Sequence, residues 1–486
     1  MSNNYGYMKK VTAVIVTWNK RSDVLNLLDA LTTLEYPKLD VIVVDNASTD
    51  GTADAVRAHP SKVYLIENRE NIGGTGGFNT GIRYALDNCC PHYVWLLDND
   101  ARISPTTLRN MVSAMESDRS IGVAGSCILS PEDSSLIVEA GGFVDFRTAT
   151  WKPHLRYKRY DPVAANGKQE EVHYVPACSA LVRTELFHRV GLLDERYFLH
   201  WDDVDFCFRV RESGYRVVSV MDAPAYHGVE KGHNPITLYY DFRNALQFFA
   251  KHADGLSRLR CFSRILGSYL TSYCYLRLLG RLAPARYLLS GLIDFLARRG
   301  GRAGMEPSAI LEEEGESCGV ETDLPPGMKK IIVFAVGGYD EVVAAVGYLK
   351  RCSPACSLTI AAAAERAEAY RLPFVEEVVS FDLLRDGFAA KFSTALNILA
   401  RGYDCGVSVG NRFTIPYSFL VRKNFIYRPA VDRLQQSSSS LSAIWKIPVS
   451  MAGGWLLMLR YLLPVMGVGR SVVDSASNGL RTIPRR

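Results

Sequence analysis

The sequence lacks the features that mark secreted and membrane-spanning proteins. Residues 1–10 have no apolar core, which predicts that no secretory signal is present. No uninterrupted apolar run reaches the roughly 18 residues that a membrane-spanning helix needs. The 11 cysteines form no dense framework, and several lie within apolar runs. These absences predict a cytoplasmic protein whose thiols are reduced and partly buried.

The composition is that of a folded globular protein with a small basic excess. Hydrophobic residues make up 48% and charged residues 22% of the chain, and the net charge is +5. A length of 486 residues favours two or three domains. Since the excess of positive charge is small, its location along the chain matters more than its size.

The first 100 residues alternate between strand and helix patterns. Apolar, β-branched segments predict four buried strands, at 11–17, 39–44, 63–67 and 93–97. The alternation predicts an α/β fold with a doubly wound, mostly parallel sheet. Ligands of such sheets bind beyond the carboxyl ends of the strands. We therefore expect the loops that start at Thr17, Asp45, Asn71 and Asp98 to form a binding rim.

A change in composition near residue 300 divides the chain. Glycine, glutamate and proline dominate there, and a second strand–helix alternation follows, which predicts a smaller α/β domain. The predicted segments are a first domain at 1–252, a basic amphipathic helical segment at 253–302, a linker at 303–327, an accessory α/β domain at 328–430, and an apolar and basic tail at 431–486.

Arginines interrupt the apolar residues of the segment 253–302. The pairs Arg260/Arg264 and Arg277/Arg281 are each four residues apart, so each pair lies on one helix face. The pattern fits a basic amphipathic helix lying on an anionic membrane surface. It fits equally an ordinary helix that packs on the first domain.

Two aspartates after the fourth predicted strand are the clearest sign of chemistry. Asp98 and Asp100 flank Asn99, and two carboxylates at this spacing can share one hard cation such as Mg²⁺ or Mn²⁺. Such a metal neutralises a departing diphosphate. Because D-x-D triplets also occur in many surface loops, it is the position after a buried strand that favours a metal site.

A second group of acids follows Trp201. Asp202, Asp203 and Asp205 lie beside aromatic residues, where unpartnered carboxylates are costly to bury. Either they begin a solvated helix, whose dipole favours acids, or one of them is a general base that deprotonates an acceptor hydroxyl. The cluster allows both, and the following pattern predicts a short helix at 206–213.

Three further features are candidate ligands. His227 follows a predicted strand at 216–220, and a neutral imidazole can complete a two-carboxylate metal site, although a single histidine is more often structural. Asp45 either accepts a hydrogen bond from a pyrimidine base or stabilises a turn. The glycine run 73–77 lets backbone approach a ligand before a helix start that favours phosphate or sugar hydroxyls.

The order of these motifs resembles the family 2 glycosyltransferases with the GT-A fold. The motifs are VIVTWNK, VVDNASTDGT, NIGGTGGFNTG, LLDND, WDDVDF, AYHG and YYDFRN, and they span about residues 10–252. Within that family, NIGGTGGF, GGFVDFRTATW and WDD are most similar to galactofuranosyltransferases that build bacterial galactans. A rhamnosyltransferase using dTDP-rhamnose is the alternative, and a non-catalytic scaffold is the contrasting class.

The resemblance implies a role for each motif. It assigns Asp98, Asp100 and His227 to a Mn²⁺ or Mg²⁺ ion and Asp203 to the catalytic base. The residues expected to contact the nucleotide-sugar donor are Thr17, Asp45, Gly74, Gly76, Gly77 and Asn99. The residues expected at the acceptor are Trp151, Trp201 and Asp202.

The implied activity is a metal-dependent, inverting transfer of a hexose, galactofuranose from UDP-galactofuranose. The expected acceptor is a glycan or a lipid-linked saccharide used in cell-surface polysaccharide synthesis. We expect the protein to be peripheral on the inner face of the cell membrane, with an anionic membrane surface as a partner and with no nucleic acid as a partner.

Overall fold

The computed structural model of the protein divides the chain into two compact units. The described residues are 8–228, 236–278, 282–304, 321–335, 339–363, 367–381, 393, 397–398, 400–409, 421, 423–428 and 432–436. The first unit contains Met1–Lys231, Asn244–Cys261 and Gly300–Gly304, and the second contains Gly232–Arg243, Phe262–Arg299 and Met305–Arg486. Arg281, most of the predicted linker and most of the predicted tail lie outside the described residues.

The first unit is built on a ten-stranded sheet with a separate hairpin. The strands of the sheet are β1 (Val11–Thr17), β2 (Leu39–Asp45), β3 (Tyr64–Glu67), β4 (Tyr93–Asp98), β5 (Arg102–Ile103), β6 (Ile121–Leu129), β7 (Ile137–Glu139), β10 (Gln169–Glu171), β11 (Ser179–Arg183) and β12 (Arg216–Tyr226). The hairpin strands are β8 (Gly142–Asp145) and β9 (Thr150–Pro153). The strand order is β10-β12-β6-β11-β4-β1-β2-β3, with β5 beside β12 and β7 beside β6.

Ten helices are described in the chain up to residue 304. They are α1 (Arg21–Thr32), α2 (Thr52–Arg57), α3 (Gly73–Tyr84), α4 (Thr107–Ser117), α5 (Pro162–Ala165), α6 (Thr184–Val190), α7 (Asp202–Glu212), α8 (Ile236–His252), α9 (Gly255–Leu278) and α10 (Leu282–Leu296). A π-helical turn at Ala85–Cys89 extends α3. Within the described residues, no helix is both long and apolar enough to cross a membrane.

The sheet confirms the predicted α/β fold with a doubly wound parallel half. Strands β3, β2, β1 and β4 are mutually parallel, and Thr17 lies opposite Asp45 while Val16 lies opposite Asp98. Strand β11 departs from this pattern, because it runs antiparallel to both β4 and β6. Since β1, β2 and β4 end at the same edge, Thr17, Asp45 and Asp98 share one rim, as the strand pattern predicts.

Glycines allow α3 to lie unusually close to this parallel half. A Cβ atom at Gly77 would come within 2.5 Å of Val16 Cγ1, and one at Gly81 would overlap the side chain of Val14. Because protein interiors are close-packed, there is no room for a Cβ atom at either position. The close contact places the first turn of α3 at the rim formed by β1 and β2.

Two elements near the candidate site differ from the sequence prediction. Helix α7 begins at Asp202 rather than at Phe206, so the acids form its first turn, where the helix dipole favours negative charge. Strand β12 continues to Tyr226 instead of ending at Val220, with a register irregularity between Val220 and Pro224. That irregularity interrupts the apolar pattern, and this is why the sequence indicates a shorter strand.

The second unit confirms a further α/β domain. Its strands are β13 (Glu321–Thr322), β14 (Lys330–Ala335), β15 (Ser357–Ala363), β16 (Glu377–Phe381), β17 (Cys405–Val409), β18 (Asn424–Arg428) and β19 (Arg433–Gln436), and α11 (Tyr339–Cys352) follows β14. The order is β13-β19-β18-β17-β14-β15-β16, with β14 to β18 parallel. The short strands β13 and β19, which lie at one end of the sheet, extend it beyond the expected limits of 328–430.

Candidate active site

The structure brings Asp98, Asp100 and His227 together at the rim of the first sheet. The His227 Nε2 atom lies 3.2 Å from Asp100 Oδ1 and 3.8 Å from Asp98 Oδ2. One ligand atom from each residue lies within 4.8 Å of the other two. Two carboxylate oxygens and an imidazole nitrogen suit a divalent cation such as Mn²⁺. The residues present therefore fit the metal site that the sequence predicts.

A short strand pairing explains how His227 reaches the aspartates. Arg102 of β5 lies opposite Tyr226 of β12 in an antiparallel bridge. Arg102 is two residues beyond Asp100, and Tyr226 immediately precedes His227. The pairing of β5 with β12 thus joins two segments that are far apart in the sequence.

Mutual contacts and burial shift the protonation of this cluster. Burial raises the pKa of Asp98 to about 6. Burial opposes the charged form of His227, yet the hydrogen bond with Asp100 and the charge of Asp98 raise the pKa of the imidazole to about 9. Burial also opposes ionisation of Asp100, but His227 lowers the pKa of that carboxyl. A metal that binds here must displace the proton of His227.

Asp45 combines a turn contact with an unpartnered oxygen at the same rim. The side chain is 2% exposed, and its Oδ2 atom accepts a hydrogen bond of 2.9 Å from the backbone N–H of Ser48. Its Oδ1 atom is buried without a hydrogen-bond partner in the described part of the chain. Nearby, Asn99 Nδ2 donates to Thr17 Oγ1 over 3.0 Å. A buried orphan acceptor is costly, so Asp45 is suited to accept a hydrogen bond from a ligand.

The glycines at the start of α3 differ in backbone conformation and in the space around them. Gly73 has a φ of +79°, and a Cβ atom at this position would overlap the carbonyl oxygen of Phe198. Gly76 packs against Ile72, and Gly77 packs against β1. Gly74 is open, since a Cβ atom at this position would have Leu199 Cδ1, at 3.9 Å, as its nearest neighbour. Packing explains Gly77, and donor contacts from these glycines stay a prediction.

Asp203 lies in the first turn of α7 with both oxygens fixed. Its Oδ2 atom accepts a hydrogen bond of 3.1 Å from the Ala177 N–H, and its Oδ1 atom accepts one of 2.7 Å from the Val204 N–H. Burial and the adjacent charge of Asp202 raise the pKa of Asp203 to about 7. A carboxylate with a pKa near neutrality is an effective general base.

Asp205, the third acid of the cluster, has a structural role. It is completely buried, and it accepts hydrogen bonds from Tyr197, Arg209, Lys251 and His252. Burial opposes its ionisation, but the contacts with His252, Arg209 and Lys251 hold the pKa of Asp205 well below its usual range. Asp205 is thus fully buried and held by four side chains, whereas Asp203 is only partly buried and accepts from two backbone N–H groups, so Asp203 is the better candidate base.

The loop before α7 carries three residues in the left-handed region. The φ angles are 65° at Phe198, 62° at His200 and 72° at Trp201. Each such non-glycine residue costs about 1–3 kcal/mol and persists only where surrounding contacts enforce it. The backbone N–H of Thr75 in α3 donates to the carbonyl of Phe198 over 3.3 Å. The loop thus lies against the start of the glycine-rich helix.

The predicted acceptor residues lie side by side. Trp151 on β9 is 43% exposed, and its ring centre lies 4.7 Å from that of buried Trp201 in an edge-to-face contact. Trp201 also packs against Phe248. Asp202, the next residue, is buried, and burial raises its pKa. The exposed face of Trp151 offers a flat amphipathic surface next to Trp201, the residue that precedes α7.

Glu139, which pairs with Arg156, is a charged neighbour of the candidate site that sequence reasoning missed. Arg156 Nη2 lies 3.3 Å from Glu139 Oε2 at the end of β7. Burial raises the pKa of Glu139 against the effect of Arg156. The charge of Glu139 adds to the raised pKa of both Asp203 and His227. The only signal in the sequence is an acid after the apolar pair Ile137–Val138.

Known proteins resemble the first unit of this chain. Residues 12–191 match the family described as Glycosyl transferase family 2. A dTDP-rhamnosyl transferase of Shigella flexneri is 26% identical over 264 residues, which are 50% of this chain and 80% of that protein. A galactofuranosyltransferase of Mycolicibacterium smegmatis is 26% identical over 217 residues, which are 45% of this chain and 70% of that protein.

The overall similarity to solved structures is low. A mannosyltransferase of Pyrobaculum calidifontis in complex with GDP-Man and Mn²⁺ is 23% identical, with a TM-score of 0.39 over 64% of this chain and 81% of the other. The family assignment depends on the matched residues, whose span includes the rim of Thr17 and Asp45 and the Asp98–Asp100 pair. Residues 12–191 of this chain therefore form a glycosyl transferase family 2 domain.

Proposed function

We propose that the protein is a metal-dependent, inverting glycosyltransferase that transfers galactofuranose from UDP-galactofuranose. The observation that carries this proposal is a backbone link between base and metal cluster. Ala177 donates its N–H to Asp203, and the carbonyl of the next residue, Cys178, accepts the N–H of Asp98 over 3.3 Å. A candidate base is thereby fixed beside a candidate cation site, as a single displacement requires.

Donor binding is assigned to the rim of the parallel half. The buried, unpartnered Oδ1 atom of Asp45 suits the N–H of a pyrimidine base, and the open position of Gly74 suits close approach of the donor. Thr17 and Asn99 lie between these residues and the acids as a hydrogen-bonded pair. A divalent cation held by Asp98, Asp100 and His227 would supply positive charge for the departing diphosphate.

In the proposed reaction Asp203 removes the proton of an acceptor hydroxyl. The hydroxyl oxygen forms a bond to the anomeric carbon while the bond from that carbon to the nucleotide diphosphate breaks. One displacement inverts the anomeric configuration, and the proton remains on Asp203 until solvent removes it. The exposed ring of Trp151 would lie against the acceptor, which is a glycan or a lipid-linked saccharide.

A rhamnosyltransferase is the second candidate function. The similar proteins include a dTDP-rhamnosyl transferase and galactofuranosyltransferases at 26% identity each. The same Asp45 contact suits thymine and uracil, because both bases present an N–H at that position. The sugar-binding side of the site therefore has to distinguish the two donors.

The donor is tested by supplying UDP-galactofuranose, UDP-galactopyranose and dTDP-rhamnose in turn, with Mn²⁺ and a galactofuranosyl or rhamnosyl acceptor. We expect release of UDP from the furanose donor alone, together with a product of inverted anomeric configuration in the NMR spectrum. Release of dTDP alone would show that the donor is dTDP-rhamnose, and the proposed mechanism would stand. A product with retained configuration would contradict the single displacement.

We further propose that the protein is cytoplasmic and peripheral on the inner face of the cell membrane. Leu256 and Leu259 at the start of α9 are 79% and 67% exposed, and Arg258 and Arg260 beside them are also exposed. Exposed leucines among arginines suit an anionic lipid surface, where apolar insertion and charge attraction act together. The domain at 328–430 is proposed as an accessory module of this membrane-bound enzyme.

Replacing both Leu256 and Leu259 by glutamate is expected to abolish binding to anionic vesicles, because it removes the apolar contact and cancels the positive charge of Arg258 and Arg260. Co-sedimentation with vesicles of phosphatidylglycerol and phosphatidylcholine measures the effect. Val163→Glu is the matched control, since Val163 is an apolar residue that is 84% exposed on α5. Equal binding by the double variant and the wild type would contradict the proposed surface.

A further inference from the structure

Asn244 on α8 makes an unusual set of contacts with the loop that precedes α7. This side chain is completely buried in the first unit. Its Nδ2 atom lies 3.0 Å from the Tyr197 carbonyl, 2.7 Å from the Leu199 carbonyl and 3.0 Å from the His200 carbonyl. The two N–H groups of one amide therefore serve three backbone oxygens within four consecutive residues, with one N–H shared between two of them.

These contacts explain why the loop keeps its strained backbone. Phe198, His200 and Trp201 all have positive φ angles, which side-chain-bearing residues rarely adopt. With the backbone turned in this way, the carbonyls of Leu199 and His200 face the Asn244 amide, as does that of Tyr197, which also accepts the N–H of Leu199. The hydrogen bonds of the Asn244 amide thus offset part of the strain of the loop.

The loop connects the two parts of the site that the reaction must align. On one side, its Phe198 carbonyl accepts the N–H of Thr75, in the first turn of α3. On the other side, Trp201 leads directly into Asp202 and Asp203 of α7. A change in the loop conformation would move Asp203 relative to the glycine-rich start of α3.

We propose that Asn244 is a positioning residue that sets the location of Asp203 by holding the loop 197–201 in its left-handed conformation. The proposal rests on the proposed role of Asp203 as the base. Asn244 does not contact the reacting groups itself; it acts through the loop backbone. Misplacement of a reacting group by about 1 Å can lower the rate by about 100-fold, so this role is large enough to measure.

The test compares Asn244→Ala and Asn244→Asp with Asn110→Ala. The aspartate keeps the shape of the side chain but loses the donating amide, so it separates loss of the hydrogen bonds from a cavity. Asn110 on α4 is the matched control. Its amide also donates to a backbone carbonyl, that of Asp222 at 2.6 Å, but this hydrogen bond does not involve the loop. Full-length variants carry 5-fluorotryptophan, and the Trp201 resonance is assigned with Trp201→Phe.

We expect both Asn244 variants to shift or broaden the Trp201 fluorine resonance and to lower kcat by about 10–100-fold with a KM for donor within about threefold of wild type. Asn110→Ala is expected to change neither quantity, although it lowers the melting temperature. An unchanged Trp201 resonance, or an unchanged kcat, in both Asn244 variants would overturn the proposal.

Failure of the proposed function is separable from failure of this inference. If Asp203→Asn transfers sugar at the wild-type rate, Asp203 is not the base, and the positioning role falls with it whatever the Trp201 resonance shows. If Asp203→Asn is inactive and the Asn244 variants retain full kcat, the base assignment stands and only the positioning role is overturned. If all three lose activity and the Trp201 resonance changes, both are supported.

Discussion

Replacing Asp203 by asparagine is expected to lower kcat by about 10²–10⁴-fold, the usual contribution of general base catalysis. Asparagine preserves the shape of the side chain and the oxygen that accepts from the Ala177 N–H or the Val204 N–H. It cannot take a proton from the acceptor hydroxyl. Binding of UDP with Mn²⁺, measured by calorimetry, should stay within about threefold of wild type, because the base belongs to the acceptor side of the reaction.

The control for this variant is Glu212→Gln at the opposite end of α7. It also removes one carboxylate from the same helix, but Glu212 contacts His252 rather than any residue of the candidate site. We expect its kcat to equal that of the wild type. A fully active Asp203→Asn variant would exclude Asp203 as the base and would direct attention to Glu139.

The same carboxylate predicts the pH dependence of the reaction. Burial and the charge of Asp202 raise the pKa of Asp203 to about 7, and the base must be ionised to act. The value of kcat/KM should therefore rise with pH through an acid limb near neutrality, far above the range of an ordinary aspartate. Asp202→Asn removes the neighbouring negative charge, so it should move this limb to lower pH.

Removing the divalent cation with a chelator is expected to abolish transfer, and added Mn²⁺ should restore it. His227→Ala and Asp100→Asn should each weaken Mn²⁺ binding by at least about 10–100-fold, the loss seen when residues that only orient a ligand are changed. Their ligand atoms lie 3.2 Å apart, so both face the same cation position. Electron paramagnetic resonance of free Mn²⁺ measures the affinity without any sugar donor.

The protonation of His227 also predicts how Mn²⁺ affinity depends on pH. The pKa of His227 is raised to about 9 by its aspartate neighbours, against the effect of burial, so the imidazole carries a proton at neutral pH. Because the metal displaces that proton, Mn²⁺ affinity should increase as pH rises toward 9. Asp54→Asn, which changes an exposed aspartate on α2, is the control, and it should bind Mn²⁺ like the wild type. Transfer at full rate in the presence of chelator would contradict the metal site.

The rim and the aspartate pair were predictable because their signals are local. Continuous apolar strands alternate with helices, so the sequence predicts a parallel sheet, and parallel strands end at a common edge. Thr17, Asp45 and Asp98 follow such strands directly, and their proximity needs only the registers of β1, β2 and β4. Asp98 and Asp100 are then a pair by their spacing alone.

The tertiary structure decided which of these polar residues act together. His227 reaches Asp100 through the bridge between β5 and β12, and a two-residue strand has no periodicity to read. Asp203 and Asp205 look equivalent in the sequence, but among the described residues only Asp205 pairs with cationic side chains, those of Arg209 on its own helix and Lys251 on α8. Hydrophobic periodicity determined the sheet and its rim, whereas long-range pairing and burial determined the candidate base, the candidate third metal ligand and the contact of Asn244 with its loop.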